Sequence, residues 1–186
     1  MADTATLVRH GATEWSISGQ HTSSTDLPLL PEGEQGGREV AARLAGTHFA
    51  EVLTSPLRRA RHTAELAGFA DAEVCGDLVE WGYGDYEGRT TAAIREEVPG
   101  WTLWTHGAPG GESAADVAAR CDRVVARIRA ASGPVLVFAH GHVLRVLTAR
   151  WLGLGPAEGR LFRLDTSTVS VVGVERETPV LLRWNA

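Results

Sequence analysis

After Pro134 the chain runs Val135-Leu136-Val137-Phe138-Ala139, five residues without a polar side chain among them. A strand that is apolar on both faces has to be covered on both, as in a parallel sheet flanked by helices, and not in a sheet with one wet side. Other segments fit the same plan. Ala5 to Val8, Val52 to Thr54 and Glu73 to Val79 read as further strands. Between them, Pro31 to about Gly46, Pro56 to Ala67 and Thr90 to Val98 read as helices. Ser113 to Asp116 has the form of a capping box, and its helix carries Val117, Cys121, Val124 and Ile128 at helical spacing. Two late strands, Ser167 to Val174 and Pro179 to Trp184, complete the pattern. The expected fold is α/β, a three-layer α/β/α sandwich on a mostly parallel mixed sheet of about six strands, forming one domain over residues 1–186.

Composition narrows the function. A net charge of -5 over 186 residues leaves no broad basic face for nucleic acid or an anionic membrane, so any use of arginine here is local. The two cysteines, Cys75 and Cys121, are too few for a disulfide framework and are expected as reduced core thiols. No apolar run reaches the ~18 residues of a membrane span. Met1-Ala2-Asp3-Thr4 lacks the basic and apolar regions of a signal peptide, and a cytoplasmic protein is expected.

Polar groups gather where the strands end. The first strand delivers Arg9 and His10 to its end, and the apolar strand at Val135 delivers His140-Gly141-His142. In open α/β sheets, ligands bind at the carboxyl ends of the strands. Thr54 leads into Ser55-Pro56, read as an N-cap and first helical residue, so that Arg58, Arg59 and Arg61 crowd a helix start where the dipole disfavours cations. A bound anion would remove that conflict. Glu80, just past the third strand, adds a carboxylate to the same rim. The passage Ser16 to Pro31 reads as a polar surface loop.

Taken in order, Leu7-Val8-Arg9-His10-Gly11-Ala12-Thr13-Glu14-Trp15, Thr54-Ser55-Pro56-Leu57 with Arg59, Glu80 before Tyr83-Gly84-Asp85-Tyr86-Glu87-Gly88, and Ala139-His140-Gly141 resemble the histidine phosphatase superfamily, which includes the cofactor-dependent phosphoglycerate mutases. Gly19 to Thr22, Glu80 to Gly88 and Pro109 to Ser113 resemble two of its sub-branches, the actinobacterial broad-specificity acid phosphatases and the yeast-type sedoheptulose-1,7-bisphosphatases. The resemblance implies a phosphoglycerate mutase-like fold and a phosphomonoesterase that works through a phosphohistidine on His10. Arg9, Arg59 and His140 would hold the non-bridging oxygens, and Glu80 would act as general acid and base, giving an acidic pH optimum. Neither metal nor cofactor is implied. The partners would be a small phosphorylated metabolite, a sugar phosphate or phospho-acid, and inorganic phosphate as product and inhibitor. A homodimer through exposed-strand pairing is left open.

Supporting roles are less specific. Ser16 stands where many mutases have asparagine, and Thr22-Ser23 stands where a threonine-glycine pair is usual. His21, Trp81, Tyr83, Trp104 and His106 are candidates for substrate selection, although the tryptophans could equally form an aromatic core. Gly141 and His142 belong with the phosphate site, His142 behind it. The nearest rival chemistry is the mutase reaction, disfavoured by the short span between Glu80 and His140. A metal-dependent hydrolase using His140 and His142, and a non-catalytic phosphate-recognising scaffold, are the remaining alternatives.

Overall fold

The computed structural model describes residues 4–186, so Met1 to Asp3, on which the signal-peptide reading partly rests, lie outside the described residues. Its elements in order are β1 (Thr4–Arg9), α1 (Glu14–Ser18), α2 (Pro31–Leu44), β2 (Glu51–Thr54), α3 (Arg58–Leu66), β3 (Glu73–Val74), α4 (Thr91–Glu97), α5 (Leu103–His106), α6 (Ala114–Ala130), β4 (Val135–Ala139), α7 (Gly141–Trp151), β5 (Val169–Glu175) and β6 (Thr178–Arg183). The six strands form one sheet in the order β3-β2-β4-β1-β5-β6. The first four strands in the chain pair in parallel, and β5 and β6 add an antiparallel edge.

β4 lies at the centre with every residue buried. Its side chains alternate between two cores, as strand geometry requires. Leu136 and Phe138 join Val8 and Val169 beneath Val40 and Leu44 of α2 and Ala64 of α3. Val135, Val137 and Ala139 face the other way, onto Val117, Cys121, Val124 and Ile128 of α6 and Leu144 and Leu147 of α7. Each large aliphatic or aromatic side chain buried in this way contributes about 1.5–3 kcal/mol. The stripe read for α6 is thus a core stripe, and burial pushes the Cys121 thiol up to about 12, where it is inert. Among the described residues, no helix is long and apolar enough to cross a membrane.

Three segments depart from the sequence reading. The third strand is two residues long and exposed, after which Gly76–Leu78 turns in a 3-10 helix that buries Leu78. The loop expected from Ser16 to Pro31 begins inside α1, which Thr13 caps reciprocally with Ser16, a box hidden by serine in the place of the usual Glu or Gln. The helix expected from Pro56 starts at Arg58, with no side-chain cap on its own strand of sequence. Asp26 supplies the missing acceptor, its Oδ1 taking the Arg58 N–H at 2.8 Å. The carboxylate at this helix start is therefore the chain's own, while Ser55 accepts the Leu57 N–H at 3.3 Å just before it.

Candidate active site

The register of the sheet brings the strand ends level. Arg9 pairs with Ala139 and Thr54 with Phe138. Consequently the next residues meet: the His10 N–H donates to the Ala139 carbonyl at 3.0 Å, and the Ser55 N–H to the Phe138 carbonyl at 2.9 Å. Gly11 then passes against α2 so closely that a Cβ there would lie 2.2 Å from the Gly33 carbonyl oxygen, so only glycine turns the chain at this point.

His10 is 5% exposed, and its Nδ1 lies 2.7 Å from the Gly11 carbonyl. A carbonyl only accepts, so Nδ1 carries the proton and Nε2 keeps the lone pair. Burial, reinforced by the Arg59 and Arg9 guanidiniums, holds the ring well below the ordinary histidine range and therefore neutral. The rings of His10 and His140 stand edge to face, 5.1 Å apart. Arg9 reaches the Leu164 carbonyl through Nη1 and lies along the first turn of α7, where a Cβ on Gly141 would sit 3.4 Å from its Nε. Among the described residues, Arg9 Nε is the one buried side-chain nitrogen or oxygen without a hydrogen-bond partner.

Glu80 arrives from the opposite side. Its Oε1 accepts from the backbone N–H of Trp81 and Val143 at 2.8 Å each, and Oε2 from that of His142 at 2.9 Å. The carboxyl group thus sits on the N-terminus of α7 and takes up first-turn N–H groups that have no partner within the helix. Arg120, 5% exposed, braces the approach by donating to the carbonyls of Asp77 and Val79 and to both oxygens of Glu112. Glu112 in turn accepts from Gly82 N–H. Neither brace stands out in the sequence, because a buried arginine on α6 looks like any helix-surface cation.

A cleft of about 170 Å³ opens over these groups, lined by Arg9, His10, Ser16, His21, Thr22, Glu80, Tyr83, Gly141 and His142, with Trp15, Gly19, Gln20, Arg145 and Leu164 completing the wall. Arg59 and His140 lie directly behind it, both 0% exposed. Arg59 donates through Nε to His140 Nδ1 and through its Nη atoms to the carbonyls of Thr22, Ser23 and Thr25.

Three expected site residues are placed elsewhere. Trp81 is fully buried, and its indole N–H is committed to the Glu112 carbonyl while its ring meets Trp104 edge to face. It belongs to the aromatic core beneath the cleft. Ser23 is likewise buried, its hydroxyl on the Glu80 carbonyl and its amide on Glu87, so it holds the loop and does not line the cleft. Ser16 lines the cleft, but its hydroxyl is engaged by Thr13 in the α1 cap. His106 caps α5, accepting from Thr102 N–H through Nδ1.

Arg145 is the residue that the sequence reading missed. It stands three residues after His142 on α7 and so shares its face, a spacing that could have revealed it. Its Nε and Nη2 donate to the carbonyls of Gly159 and Arg160, and its guanidinium lies 4.6 Å from the Trp104 ring centre. His21, His142 and Arg145 form the wall between the cleft and an adjoining hollow of about 260 Å³ that reaches Trp101 and Trp104. Tyr83 Oη lies 2.7 Å from His142 Nδ1 in the same wall. Among the described residues, no group of three or more His, Cys, Asp or Glu is placed to hold a metal ion.

The chain is similar to known proteins over most of its length. The chain is 44% identical over 174 residues to an acid phosphatase of Mycobacterium tuberculosis, covering 91% of this chain and 85% of that one. It is 39% identical over 183 residues to the sedoheptulose 1,7-bisphosphatase of Saccharomyces cerevisiae, covering 80% and 67% respectively. The solved structure of the open reading frame Rv3214 from Mycobacterium tuberculosis superposes with a TM-score of 0.95 at 39% identity, over 100% of this chain and 98% of that one. The family profile described as the histidine phosphatase superfamily (branch 1) matches residues 5–186, and the chain belongs to that superfamily.

Proposed function

We propose that the protein is a metal-independent phosphomonoesterase that hydrolyses small phosphorylated metabolites through a phosphohistidine on His10. The observation that carries this reading is the state of that ring. It is neutral, fixed by the Gly11 carbonyl, and has its Nε2 lone pair free beside two buried guanidiniums. The relatives named acid phosphatase and sedoheptulose 1,7-bisphosphatase support the same class.

In the first step Nε2 attacks phosphorus and the bond to the leaving oxygen breaks. Arg9 and Arg59 neutralise the equatorial oxygens, a role for which a guanidinium fork is suited and which calls for no metal charge. Glu80 hands a proton to the leaving oxygen. In the second step the Glu80 carboxylate takes a proton from water, whose oxygen attacks phosphorus as the phosphorus–nitrogen bond breaks, returning the electron pair to His10 Nε2 and releasing inorganic phosphate. His21, Tyr83, His142 and Arg145 face the leaving group and select it.

The test is phosphate release in EDTA across an aryl phosphate, 3-phosphoglycerate, fructose 1,6-bisphosphate and sedoheptulose 1,7-bisphosphate. An acid-labile phosphoprotein should be trapped on rapid quenching and be absent from His10→Ala. Conversion of 3-phosphoglycerate to its isomer without phosphate release would give the site to a mutase instead.

A further inference from the structure

His140 is held between two partners that cannot both be satisfied. Arg59 Nε–H points at its Nδ1 from 3.1 Å, and Ser55 Oγ lies 2.7 Å from its Nε2. A guanidinium only donates, so Nδ1 must accept and the ring proton must sit on Nε2, donated to Ser55. Ser55 Oγ already accepts the Leu57 N–H at 3.3 Å. With His140 as a second donor, the hydroxyl's own hydrogen has no acceptor among the described contacts, in a residue that is 0% exposed. The opposite tautomer satisfies Ser55, which then donates to Nε2, but it sets Nδ1–H against Arg59 Nε–H, donor facing donor. Either way one buried hydrogen is left without an acceptor, an unfavourable arrangement in a dry site.

An oxyanion that enters from the cleft and parts Arg59 Nε from His140 Nδ1, which are in direct contact at 3.1 Å, resolves both faults. It accepts from Arg59 Nε–H and from His140 Nδ1–H, while Ser55 accepts from Leu57 and donates to Nε2. We propose that Ser55 is a positioning residue whose hydroxyl reverses its hydrogen bond, so that His140 changes tautomer from Nε2–H to Nδ1–H as a phosphoryl group binds. The ring gives up one proton and takes up another through water, and its charge does not change. The inference rests on the phosphoryl-binding reading of His140. It goes beyond that reading by assigning a role to Ser55, which the sequence marks only as a helix start.

Long-range 1H–15N correlation on 15N-histidine-labelled protein separates the tautomers, with inorganic phosphate and orthovanadate as probes. His140 is expected as the Nε2–H form alone and as the Nδ1–H form with either anion. In Ser55→Ala, shown to be folded by its circular dichroism spectrum, phosphate should bind roughly 10- to 100-fold more weakly, as for loss of a buried hydrogen bond. Ser55→Thr, which keeps the hydroxyl, should recover most of that loss. The proposal is overturned if His140 keeps one tautomer throughout, becomes an imidazolium with anion bound, or if Ser55→Ala binds phosphate as the wild type does. A wild-type protein that hydrolyses phosphomonoesters while showing any of these results loses the switch and keeps the proposed function. One that neither binds the anions nor hydrolyses loses both.

Discussion

The floor of the cleft and its wall are built by different means. His10, Arg59, Glu80 and His140 follow strands or meet a helix start; backbone groups hold the first three in place, and Arg59 and Ser55 hold His140. Glu80 accepts three N–H groups, and Arg59 is tied to three carbonyls. The wall, His21, Tyr83, His142 and Arg145, comes from loops and an outer helix face, and its contacts are largely side chain to side chain. Arg145 Nη1 donates to nothing among the described residues. A floor tied to backbone can hold one geometry for chemistry, whereas a wall of side chains can be exchanged without disturbing it. Under the proposed function, this difference gives turnover to the floor and substrate choice to the wall.

The largest expected effect tests the floor. His10→Ala should cost about 10⁴-fold or more in kcat, the scale seen when a covalent nucleophile is removed. Phosphate release near the wild-type rate would end the phosphohistidine mechanism. Glu80→Gln comes next, at about 10²–10⁴-fold on a sugar phosphate. An aryl phosphate, whose leaving oxygen needs little protonation, should lose less. Equal losses on both substrates would take the general-acid role away from Glu80.

This division also explains what could be read from the sequence. The floor was legible because its residues are contiguous with strand ends: Arg9-His10 closes one apolar run and His140 another. Period-two burial in β4 and the helical stripe of α6 made the layers legible for the same reason. Of the wall, His21, Tyr83 and His142 were legible as candidates, but Arg145 was not, nor was the tertiary packing that brings the four together. Trp81 shares the loop of Glu80 and Tyr83, yet its indole turns into the core to reach the Glu112 carbonyl, a partner 31 residues away. The start of α3 misled because its cap is Asp26, 32 residues upstream, and no local pattern announces a cap from another segment. Arg145 could have been found from its spacing to His142, but its contact with Trp104 and the carbonyls beyond Gly159 could not.

Acid should strain the floor and the wall together. Burial, chiefly, sets His10, His21, His140 and His142 below the ordinary histidine value, and nearby arginines add to the shift in all but His21. A base whose folded pKa is depressed favours the folded state fully above its unfolded value of about 6.5, and that contribution is lost as pH falls through the folded value. For buried His10 and His140 the slope is at most about 1.4 kcal/mol per pH unit each. The melting temperature should therefore fall by about 5–10 °C between pH 7 and pH 5. Inorganic phosphate at saturating concentration should reduce that fall, because a dianion against the His10 ring favours its protonation. A flat melting temperature across this range would mean that the histidines are not held neutral.

The smallest expected effect is the sharpest test of the division itself. Tyr83→Phe keeps the ring, which is 2% exposed and packed 4.8 Å from that of His21, and removes only the hydroxyl that meets His142 Nδ1. Burial keeps the Tyr83 phenol protonated and the His142 ring neutral, so the lost contact is one between neutral groups, worth about 0.5–1.5 kcal/mol. His142 then loses the partner that fixes its ring, while the His142 backbone N–H still holds Glu80. A wall residue should show this as a rise of roughly 2- to 10-fold in KM for a sugar phosphate, with kcat nearly unchanged. If kcat fell instead, and fell more for the sugar phosphate than for the aryl phosphate as in Glu80→Gln, the hydroxyl would be acting on the proton that Glu80 delivers. Tyr83 and His142 would then belong to the floor, and the boundary between chemistry and selection would run one layer further out.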